Sequence, residues 1–382
     1  MNNLIQQVFR LGYGAYCEKY TPSAEQRKAA YAISKCKTGE LGYYTYTCTC
    51  PKCDYAETRP CSCGNRHCPA CQAIPRERWI DERKSEVFDT HQYFHVVMTV
   101  PHQLILIFLL NLKLMYSLLH QCSSRAIIDL CKTIHGMGGT PCITQVLHTW
   151  GNKLNYHPHI HAIVSGMGLS SLGKLVECKK DYLFPLPMLM KLFRGKFLHH
   201  LNELYLSDSL VLPENLKDYL AWKNYLDILY SKEWTPYIKE TFNGNGNAID
   251  YLGRYTYRVA ISNSRILEVT NTHVTFSAYD YKTNSTENIT LTLADFIRKY
   301  LMHVLPKGMQ KIRSSGLLNN RFKYRNLETL SILLKKKRRE AKLKGLNMAE
   351  TIKLLWNTDI TVCPKCNNHT LKLSALPFHQ IL

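Results

Sequence analysis

The cysteine pattern near the start of the sequence constrains this chain more than any other feature. Two Cys-x-x-Cys pairs, Cys50 with Cys53 and Cys68 with Cys71, are separated by fourteen residues. Each pair can supply two thiolates, and the loop between the pairs can close a tetrahedron of four sulfur ligands, the geometry that Zn²⁺ adopts in structural sites. Because both pairs look closed, the sequence predicts a structural zinc site that folds a segment with little core of its own.

Other potential ligands surround these pairs and extend the prediction. A second zinc site could be built from nearby residues, although spacing alone does not define its four ligands; the candidates are Cys36, Cys48, Cys61, Cys63 and His67. A third Cys-x-x-Cys pair, Cys363 with Cys366, lies near the end of the sequence and predicts a further zinc site whose partners stay open. The sequence therefore predicts metal binding near both ends of the chain.

The cysteine content and the first residues together predict where in the cell the protein works. The chain has fifteen cysteines, but its first residues, MNNLIQQVFR, lack the basic and apolar segments of a secretory signal. The cysteines are therefore interpreted as metal ligands in a reducing compartment, the bacterial cytoplasm, rather than as disulfides. The longest apolar run, residues 104–119, is shorter than the roughly 20 residues that span a membrane, and Lys113 interrupts it. It is predicted to form a buried helix.

A strong positive charge favours a polyanionic partner. The formal net charge is +20, which is typical of proteins that bind nucleic acid. Between Arg298 and Lys344 the sequence has fifteen Lys or Arg residues against two acids. The densest part of this region is predicted to contact DNA phosphates and comprises Lys335, Lys336, Lys337, Arg338 and Arg339. Alternatively, these basic residues lie on a solvated helix face or in a disordered arm.

The residue pattern divides the chain into three regions and predicts an α+β fold. Residues 1–85 form a zinc-binding domain, residues 86–320 mix strands and helices with a helical insertion at about 180–240, and residues 321–382 form a basic, helical region. Strands are predicted at residues 93–100, 159–166, 258–266 and 273–281. Helices are predicted at residues 187–205 and 214–231, and a flexible break at 243–247.

Three histidines alternate in the segment NYHPHIHAIVSG. In a strand, residues two apart point to the same face, so His159 and His161 project side by side and His157 lies next along that face. Neutral imidazoles in this arrangement can hold a divalent cation. The pattern alone also fits histidines that merely line a solvated strand.

Two tyrosines form a second pair of chemical interest. Tyr251 and Tyr255, in YLGRYTYRV, are four residues apart and would share one face of a helix. The spacing fits an aromatic packing pair, and it also fits two nucleophiles that form covalent intermediates. A phenol with a pKa of about 10 attacks well only when a metal polarises the electrophile. Together with the histidines and the basic charge, the pair suits the nicking of a DNA strand.

In these motifs the chain resembles the rolling-circle, two-tyrosine transposases of bacterial insertion sequences, which belong to the His-hydrophobic-His (HUH) endonucleases. The similarity extends from about residue 28 to 366. It is carried, in order, by CSCGNRHCPACQ, HVVMTVPHQL, VLHTWGNKLNYHPHIHAIVSGMG, LFPLPMLMKLFRGKF, DYLGRYTYRVAISNSRI and FIRKYLMHVLPKGMQKIRSSGLL. Each segment is moderately specific, and their order is highly specific.

The resemblance implies a fold and a site. The fold would be an HUH core, a ferredoxin-like antiparallel sheet with helices on one face, and the N-terminal segment would be a transposase zinc-binding domain. His159 and His161 would bind Mg²⁺ or Mn²⁺, with His157 as the first candidate for a third ligand and His148 as the second. Tyr251 and Tyr255 would be the nucleophiles. Beside them, Arg254 and Arg258 would contact DNA phosphates.

The resemblance also implies a reaction, which is metal-dependent cleavage and transfer of single-stranded DNA at transposon ends through 5′-phosphotyrosine intermediates. Two other functions fit the residues. One is a zinc-ribbon DNA-binding protein without enzymatic activity. The other is a replication initiator or relaxase that has the same nicking chemistry but acts at a plasmid origin.

Overall fold

The computed structural model describes residues 3–242, 249–250, 253, 256, 260–280 and 283–375. Within these ranges the chain alternates helices and strands in an α+β arrangement. No helix in the described part of the chain is long and apolar enough to cross a membrane. The predicted break at 243–247 lies outside the described residues.

Helices occur throughout the chain. Those whose bounds lie within the described residues are, in order, α1 (Leu4–Lys19), α2 (Ala24–Lys35), α3 (Ala73–Lys84), α4 (Ile105–Leu110), α5 (Leu112–Lys132), α6 (Leu186–Leu206), α7 (Tyr219–Ser231), α8 (Leu293–Leu301), α9 (Lys323–Leu333) and α10 (Met348–Trp356). Local signals define several of their starts. At α2, for example, the Ser23 side chain accepts from the backbone N–H of Gln26, whose own side chain accepts from Ser23 in return, so two helix-end donors are satisfied.

The strands form three antiparallel sheets. In chain order they are β1 (Tyr43–Cys48), β2 (Ala56–Pro60), β3 (Tyr93–Thr99), β4 (Thr140–Trp150), β5 (Tyr156–Leu169), β6 (Leu175–Glu177), β7 (Tyr237–Phe242), β8 (Ile266–Val269), β9 (His273–Asp280), β10 (Ser285–Thr292), β11 (Ile312–Gly316) and β12 (Leu371–Ala375). The central sheet has the order β11-β4-β5-β3-β7, with β6 added to β5. The two smaller sheets have the orders β12-β1-β2 and β10-β9-β8.

The two faces of the central sheet carry different side chains because strand residues alternate. One face, which we call the helical face, presents Phe94, Val96, Leu147 and Ile160 to a large apolar core that includes residues of α4 to α7. The other, which we call the histidine face, carries His95, His148, His159 and His161. These four histidines are buried, and the strand order puts β5 between β4 and β3 at the centre of this face.

A second core joins parts of the chain that the sequence analysis assigned to separate domains. Apolar residues of α1 and α2 pack with those of α8 and of the β8–β10 sheet. The approach of α1 to α8 is close, since a Cβ on Gly12 would lie 2.4 Å from the Cβ of Leu293. This core therefore contains residues from both sides of the predicted boundary at 85. The N-terminal helices share a core with residues 260–304 because neither segment can bury its apolar face alone.

Several local predictions can be compared with the elements. Strands β3, β5 and β9 lie within the predicted strand segments or extend them, and α6 and α7 match the predicted helices. The predicted strand at 258–266 is wrong for residues 260–265, which form bends and a short 3-10 turn before β8. The apolar run at 104–119 is two helices rather than one, because the chain breaks at Asn111.

Candidate metal centre and nucleic-acid surface

Three histidines converge on the histidine face. One ring nitrogen from each of His148, His159 and His161 lies within 4.8 Å of the others, so the three could hold one metal ion. The register of the sheet explains the convergence. His148 on β4 lies directly opposite His159 on β5, and His161 lies two residues further along β5 on the same face.

Hydrogen bonds fix how these rings are presented. His159 Nδ1 is 2.7 Å from the backbone oxygen of His157, so Nδ1 carries the proton and the lone pair is on Nε2. His161 Nδ1 is 2.8 Å from Nε2 of His95, which lies on β3. The two Nε2 atoms of His159 and His161 are 3.0 Å apart and face each other. A metal-binding histidine is usually oriented by a partner on its other nitrogen in this way.

Burial keeps two members of the cluster, His159 and His161, neutral. Removal from water lowers the pKa of His159 to about 4 and lowers the pKa of His161 well below its ordinary value. Two imidazolium rings at this separation would also repel each other. Near neutral pH both rings therefore have lone pairs available for a cation.

The predicted third ligand needs correction. His157 was the first candidate, but the cluster includes His148 instead. His157 turns its backbone oxygen toward His159 and leaves its ring half-buried. His148 is buried, and its ring centroid lies 4.4 Å from that of His161. Alternation within one strand could not reveal a ligand that a neighbouring strand supplies.

Helix α3 and the segment around residue 250 cover part of the histidine face. Trp79 and Ile80 of α3 form an apolar cluster with Ile249, together with residues of the sheet. A Cβ on Gly253 would lie 2.3 Å from Cγ1 of Ile80, so the backbone at 253 lies directly against α3. Lys84 of α3 also pairs with Asp250 at 2.6 Å.

The predicted nucleophiles and the two arginines beside them belong in sequence to the segment around residue 250. The four residues lie outside the described part of the chain: Tyr251, Tyr255, Arg254 and Arg258. Gly253 and Thr256, which are described, are both buried and helical.

A cavity of about 420 Å³ adjoins the histidine cluster. Trp150 lies between the two, since its ring stacks on that of His148 with centroids 4.6 Å apart. Lys311 lines the cavity with its Nζ 4.8 Å from the centroid of Trp150. Burial, reinforced by the charge of Arg66, lowers the pKa of Lys311 to about 7. Sequence patterns did not identify Lys311, because an isolated lysine in a basic region has no distinguishing signal.

The cysteines form two clusters of four. The first, which we call the N-terminal cluster, comprises Cys36, Cys63, Cys68 and Cys71. Cys71 Sγ lies 3.5 Å from Sγ of Cys36 and 3.7 Å from Sγ of Cys63. The second, which we call the bridging cluster, comprises Cys48, Cys53, Cys363 and Cys366. Its sulfur contacts are 3.7 Å, between Cys48 and Cys366 and between Cys53 and Cys363.

These clusters correct the predicted ligand grouping. Cys50 and Cys53 do not meet Cys68 and Cys71 around one ion. Strand β12 pairs with β1 and brings the C-terminal cysteine pair to the N-terminal one, with Cys48 opposite Leu371. Cys50 lies outside the four and donates its backbone N–H to Cys48 Sγ at 3.4 Å. Cys48, which the sequence offered only as a ligand of the second site, takes the place of Cys50 beside Cys53.

His67 also has a different role from the predicted one. It is absent from the N-terminal cluster, and its Nε2 accepts a hydrogen bond of 3.4 Å from the backbone N–H of Leu305. Burial lowers its pKa to about 3, so the ring is neutral. The histidine connects the cysteine loop to the segment after α8 rather than binding a metal with the sulfurs.

The donor sets fit different metals. Four sulfurs with no water position suit structural Zn²⁺. Contact with Cys63 lowers the pKa of Cys36 to about 7, and the backbone N–H of Asn368 lowers that of Cys366 to about 6, so each cluster has a thiol that readily becomes a thiolate. The three histidines form an incomplete coordination shell, which leaves positions for substrate oxygens.

The basic run after α9 is not helical, contrary to the expectation of a continuous helical region. Lys335, Lys336 and Lys337 are exposed, whereas Arg338 donates to the backbone oxygen of Ser85 at 3.2 Å. The side chain of Arg339 forms a 2.8 Å ion pair with Asp81 of α3. The three lysines are thus presented to solvent while the two arginines fasten the run to α3.

Comparison with known proteins gives a consistent result. The family described as "Putative transposase" matches residues 142–326, and the family described as "Transposase zinc-binding domain" matches residues 8–100. A protein named "Putative transposase y4qJ" from Sinorhizobium fredii (strain NBRC 101917 / NGR234) is 35% identical over 336 residues, covering 86% of this chain and 84% of the relative. No solved structure gives a significant match.

A second relative is named "Transposase for insertion sequence element IS801" and comes from Pseudomonas savastanoi pv. phaseolicola. It is 28% identical over 296 residues, covering 75% of this chain and 68% of the relative. The first family match includes the three clustered histidines, and the second includes the whole N-terminal cysteine cluster.

Proposed function

Since the chain belongs to the insertion-sequence transposases that carry an N-terminal zinc-binding domain, we propose that it cuts and rejoins single-stranded DNA by the rolling-circle, HUH-type reaction. The substrate would be one strand at each end of the element and at the target site. The protein would act in the bacterial cytoplasm, at the nucleoid.

The observation that carries the proposal is the cluster of three histidines on the central sheet, in which burial keeps His159 and His161 neutral. The rings of these two histidines, oriented by the His157 carbonyl and by His95, together with His148, suit Mg²⁺ or Mn²⁺. When bound, this cation would polarise a non-bridging oxygen of the scissile phosphate. The antiparallel central sheet with helices packed on its far face also supports an HUH core.

The nucleophiles in this proposal are Tyr251 and Tyr255. Their assignment rests on the family resemblance and on the described residues around them. Ile249 packs in the same apolar cluster as Val146 of β4 and Ile163 of β5, which lie on the histidine face. Val146 is directly opposite His161 in the β4–β5 register. These contacts of Ile249 with the sheet support the assignment of the nucleophiles to this segment.

In this reaction one phosphorus–oxygen bond forms for each one that breaks. The phenolic oxygen of one tyrosine attacks phosphorus, and the bond from phosphorus to the 3′ oxygen breaks. The phenol loses its proton and the departing 3′ oxygen gains one. The 5′-phosphotyrosine retains the free energy of the original phosphodiester, so rejoining needs no ATP. The second tyrosine can cleave another strand while the first end is still held.

The sulfur clusters and the basic residues have supporting roles. Two zinc ions, one in each cysteine cluster, would hold the N-terminal module together. Lys335, Lys336 and Lys337 would bind DNA phosphates, as would Arg254 and Arg258 near the cut. Arg338 and Arg339 would instead keep the basic run on α3. Such phosphate contacts make affinity fall steeply with salt.

The test is the formation of a covalent protein–DNA adduct. Labelled single strands carrying the flanks of the gene are incubated with full-length, zinc-loaded protein, with and without Mn²⁺. We expect an adduct only with Mn²⁺, attached at Tyr251 or Tyr255. His159→Ala combined with His161→Ala should abolish it, as should Tyr251→Phe combined with Tyr255→Phe. His199→Ala, at an exposed histidine of α6, is the matched control and should retain the adduct.

Each rival function gives a different result. A zinc-ribbon protein without enzymatic activity would bind the strand but form no adduct under any condition. A replication initiator or relaxase would form the adduct on plasmid-origin DNA and not on the element's own flanks. Adduct formation that persists in the double histidine variant would contradict the metal site.

A further inference from the structure

The cavity beside the histidine cluster is lined by both apolar and polar side chains, whereas an empty packing defect is usually lined by apolar ones. Its volume is about 420 Å³, within the range of small-ligand sites. Trp150 and Leu147 of the sheet, Tyr300 of α8 and Met309 supply apolar surface. Among the described residues that line it there is no Asp or Glu. Arg66 contributes a positive charge, and Lys311, with its pKa lowered to about 7, becomes fully charged when an anion binds beside it. This composition favours an occupant that is partly apolar and partly anionic.

One polar group in the wall is incompletely satisfied. His303 is 5% exposed, and its Nδ1 is 3.1 Å from Oγ1 of Thr149. Its Nε2 has no hydrogen-bond partner among the described residues. A buried polar atom left unpaired costs on the order of 1–3 kcal/mol, so a ligand that pairs with it would gain affinity. His303 lines the cavity, where such a ligand could reach it.

The cavity lies beside the candidate metal centre, and Trp150 contacts both. The Trp150 ring stacks on His148, and Lys311 Nζ lies 4.8 Å from the centroid of the same Trp150 ring. Thr256, from the segment that carries the two tyrosines in sequence, also lines the cavity. A strand whose phosphate is held by the histidine cluster can therefore place its neighbouring nucleotide here.

We propose that this cavity receives one unpaired nucleotide of the DNA strand, adjacent to the phosphate that is cut. The phosphate of that nucleotide lies toward Lys311, the base lies against the apolar wall, and an edge of the base pairs with His303 Nε2. This inference rests on the proposed function, and it adds a site that selects for single-stranded DNA. A base in a duplex could enter only after it had been unpaired and unstacked.

Arg66 has a positioning role in this arrangement. Its guanidinium donates to the backbone oxygen of Met309 at 2.8 Å and to that of Pro306 at 3.3 Å. It thereby holds the loop that carries Met309 and ends at Lys311. Lys307, in the same loop, is exposed and does not line the cavity, which makes it a matched control for Lys311.

The experiment uses binding without chemistry. Full-length, zinc-loaded protein is mixed with 30-nucleotide single strands from the gene flanks, in which 5-iododeoxyuridine replaces thymidine, with no Mg²⁺ or Mn²⁺ added. After irradiation, cross-linked peptides are identified by mass spectrometry. We expect cross-links at Trp150 or Tyr300. Ala260→Phe, which fills the cavity, should remove those cross-links and lower affinity about tenfold, as expected for the loss of one stacked base.

Two further variants keep the test decisive if Ala260→Phe does not fold. Lys311→Met should weaken the same cross-links and reduce the salt dependence of binding by about one phosphate contact, whereas Lys307→Met should leave the cross-links unchanged. Strands that bind the wild-type protein but cross-link only elsewhere would overturn the inference. Equal cross-linking at Trp150 and Tyr300 in the wild type, Ala260→Phe and Lys311→Met would also overturn it.

The result is separable from the nuclease test. Cavity cross-links without any Mn²⁺-dependent adduct would refute the proposed catalysis and leave the nucleotide site standing. An adduct at a tyrosine without cavity cross-links would do the reverse.

Discussion

The helical face and the histidine face of the central sheet share the same strands but differ in what covers them. On the helical face, residues such as Phe108, Phe197 and Trp234 are fully buried in a continuous apolar core. On the histidine face a small cluster around Trp79 and Ile80 gives the apolar cover, and buried histidines occupy the centre. The comparison teaches that one face is built from a continuous apolar core, whereas the other gives up part of its apolar burial to a cluster of histidines.

The first test of this division is Phe197→Ala on the helical face. The ring packs against Trp234, with centroids 5.4 Å apart, and is 0% exposed. The substitution should lower the free energy of unfolding by about 3–5 kcal/mol, measured by chemical denaturation. Leu206→Ala, at an exposed residue of the same helix, should change it little. A loss below about 1 kcal/mol would mean that this face is not the principal core.

Gly253→Ala tests the histidine face. Its new methyl group would lie 2.3 Å from Cγ1 of Ile80, so the segment must move away from α3. Overpacking of this kind costs about 1–3 kcal/mol, but the larger effect should be on the Mn²⁺-dependent DNA adduct. We expect adduct formation to fall strongly, and Ile80→Ala in the same chain to restore part of it. Without that rescue, the contact does not position the segment.

Acid tests a histidine that lies on the helical face. Burial, reinforced by Arg313, lowers the pKa of His120 to about 3 from the usual 6.5. Between these values the unfolded chain binds more protons, so stability should fall with falling pH below 6.5. The contribution of His120 is about 1.4 kcal/mol per pH unit. His120→Leu should flatten the measured slope by that amount. His135→Leu, at an exposed position, should leave the slope as it is.

The test with the smallest expected effect compares two isoleucines of β5. Ile160 points to the helical face and is 0% exposed, while Ile163 points to the histidine face and is 3% exposed. Ile160→Val should cost about 0.5–1.5 kcal/mol, the usual value for a well-packed site. Ile163→Val should cost less in unfolding free energy but should reduce adduct formation more. Equal effects of the two variants in both assays would remove the distinction between the faces.

Features set by local sequence were the ones that could be predicted. Alternation in β5 placed His159 and His161 on one face, and the apolar periodicity of α6 and α7 gave two helices close to their observed bounds. These patterns depend on residues close in sequence, so spacing alone reveals them. The predicted roles of Tyr251 and Tyr255 stay predictions, because these residues lie outside the described part of the chain.

Features set by pairing between separate strands could not be predicted from spacing. Only the family resemblance offered His148, as its second candidate, and His148 joins the histidine cluster because β4 pairs with β5 in a particular register. Cys363 meets Cys53 because β12 pairs with β1. No spacing rule connects residues that lie more than three hundred positions apart. His95 was missed as an orienting partner for a similar reason, since it reaches His161 diagonally from β3.

The pairing of β1 with β12 also constrains the order in which the protein can mature. As the ribosome releases the chain, β1 and β2 emerge early, yet β1 lacks its second neighbour until residues 371–375 follow. Cys48 and Cys53 likewise wait for Cys363 and Cys366, so the bridging cluster stays half-built through most of translation. A chain that stops short of residue 363 leaves Cys48 and Cys53 without Cys363 and Cys366. The bridging cluster can therefore be completed only after synthesis has passed residue 366.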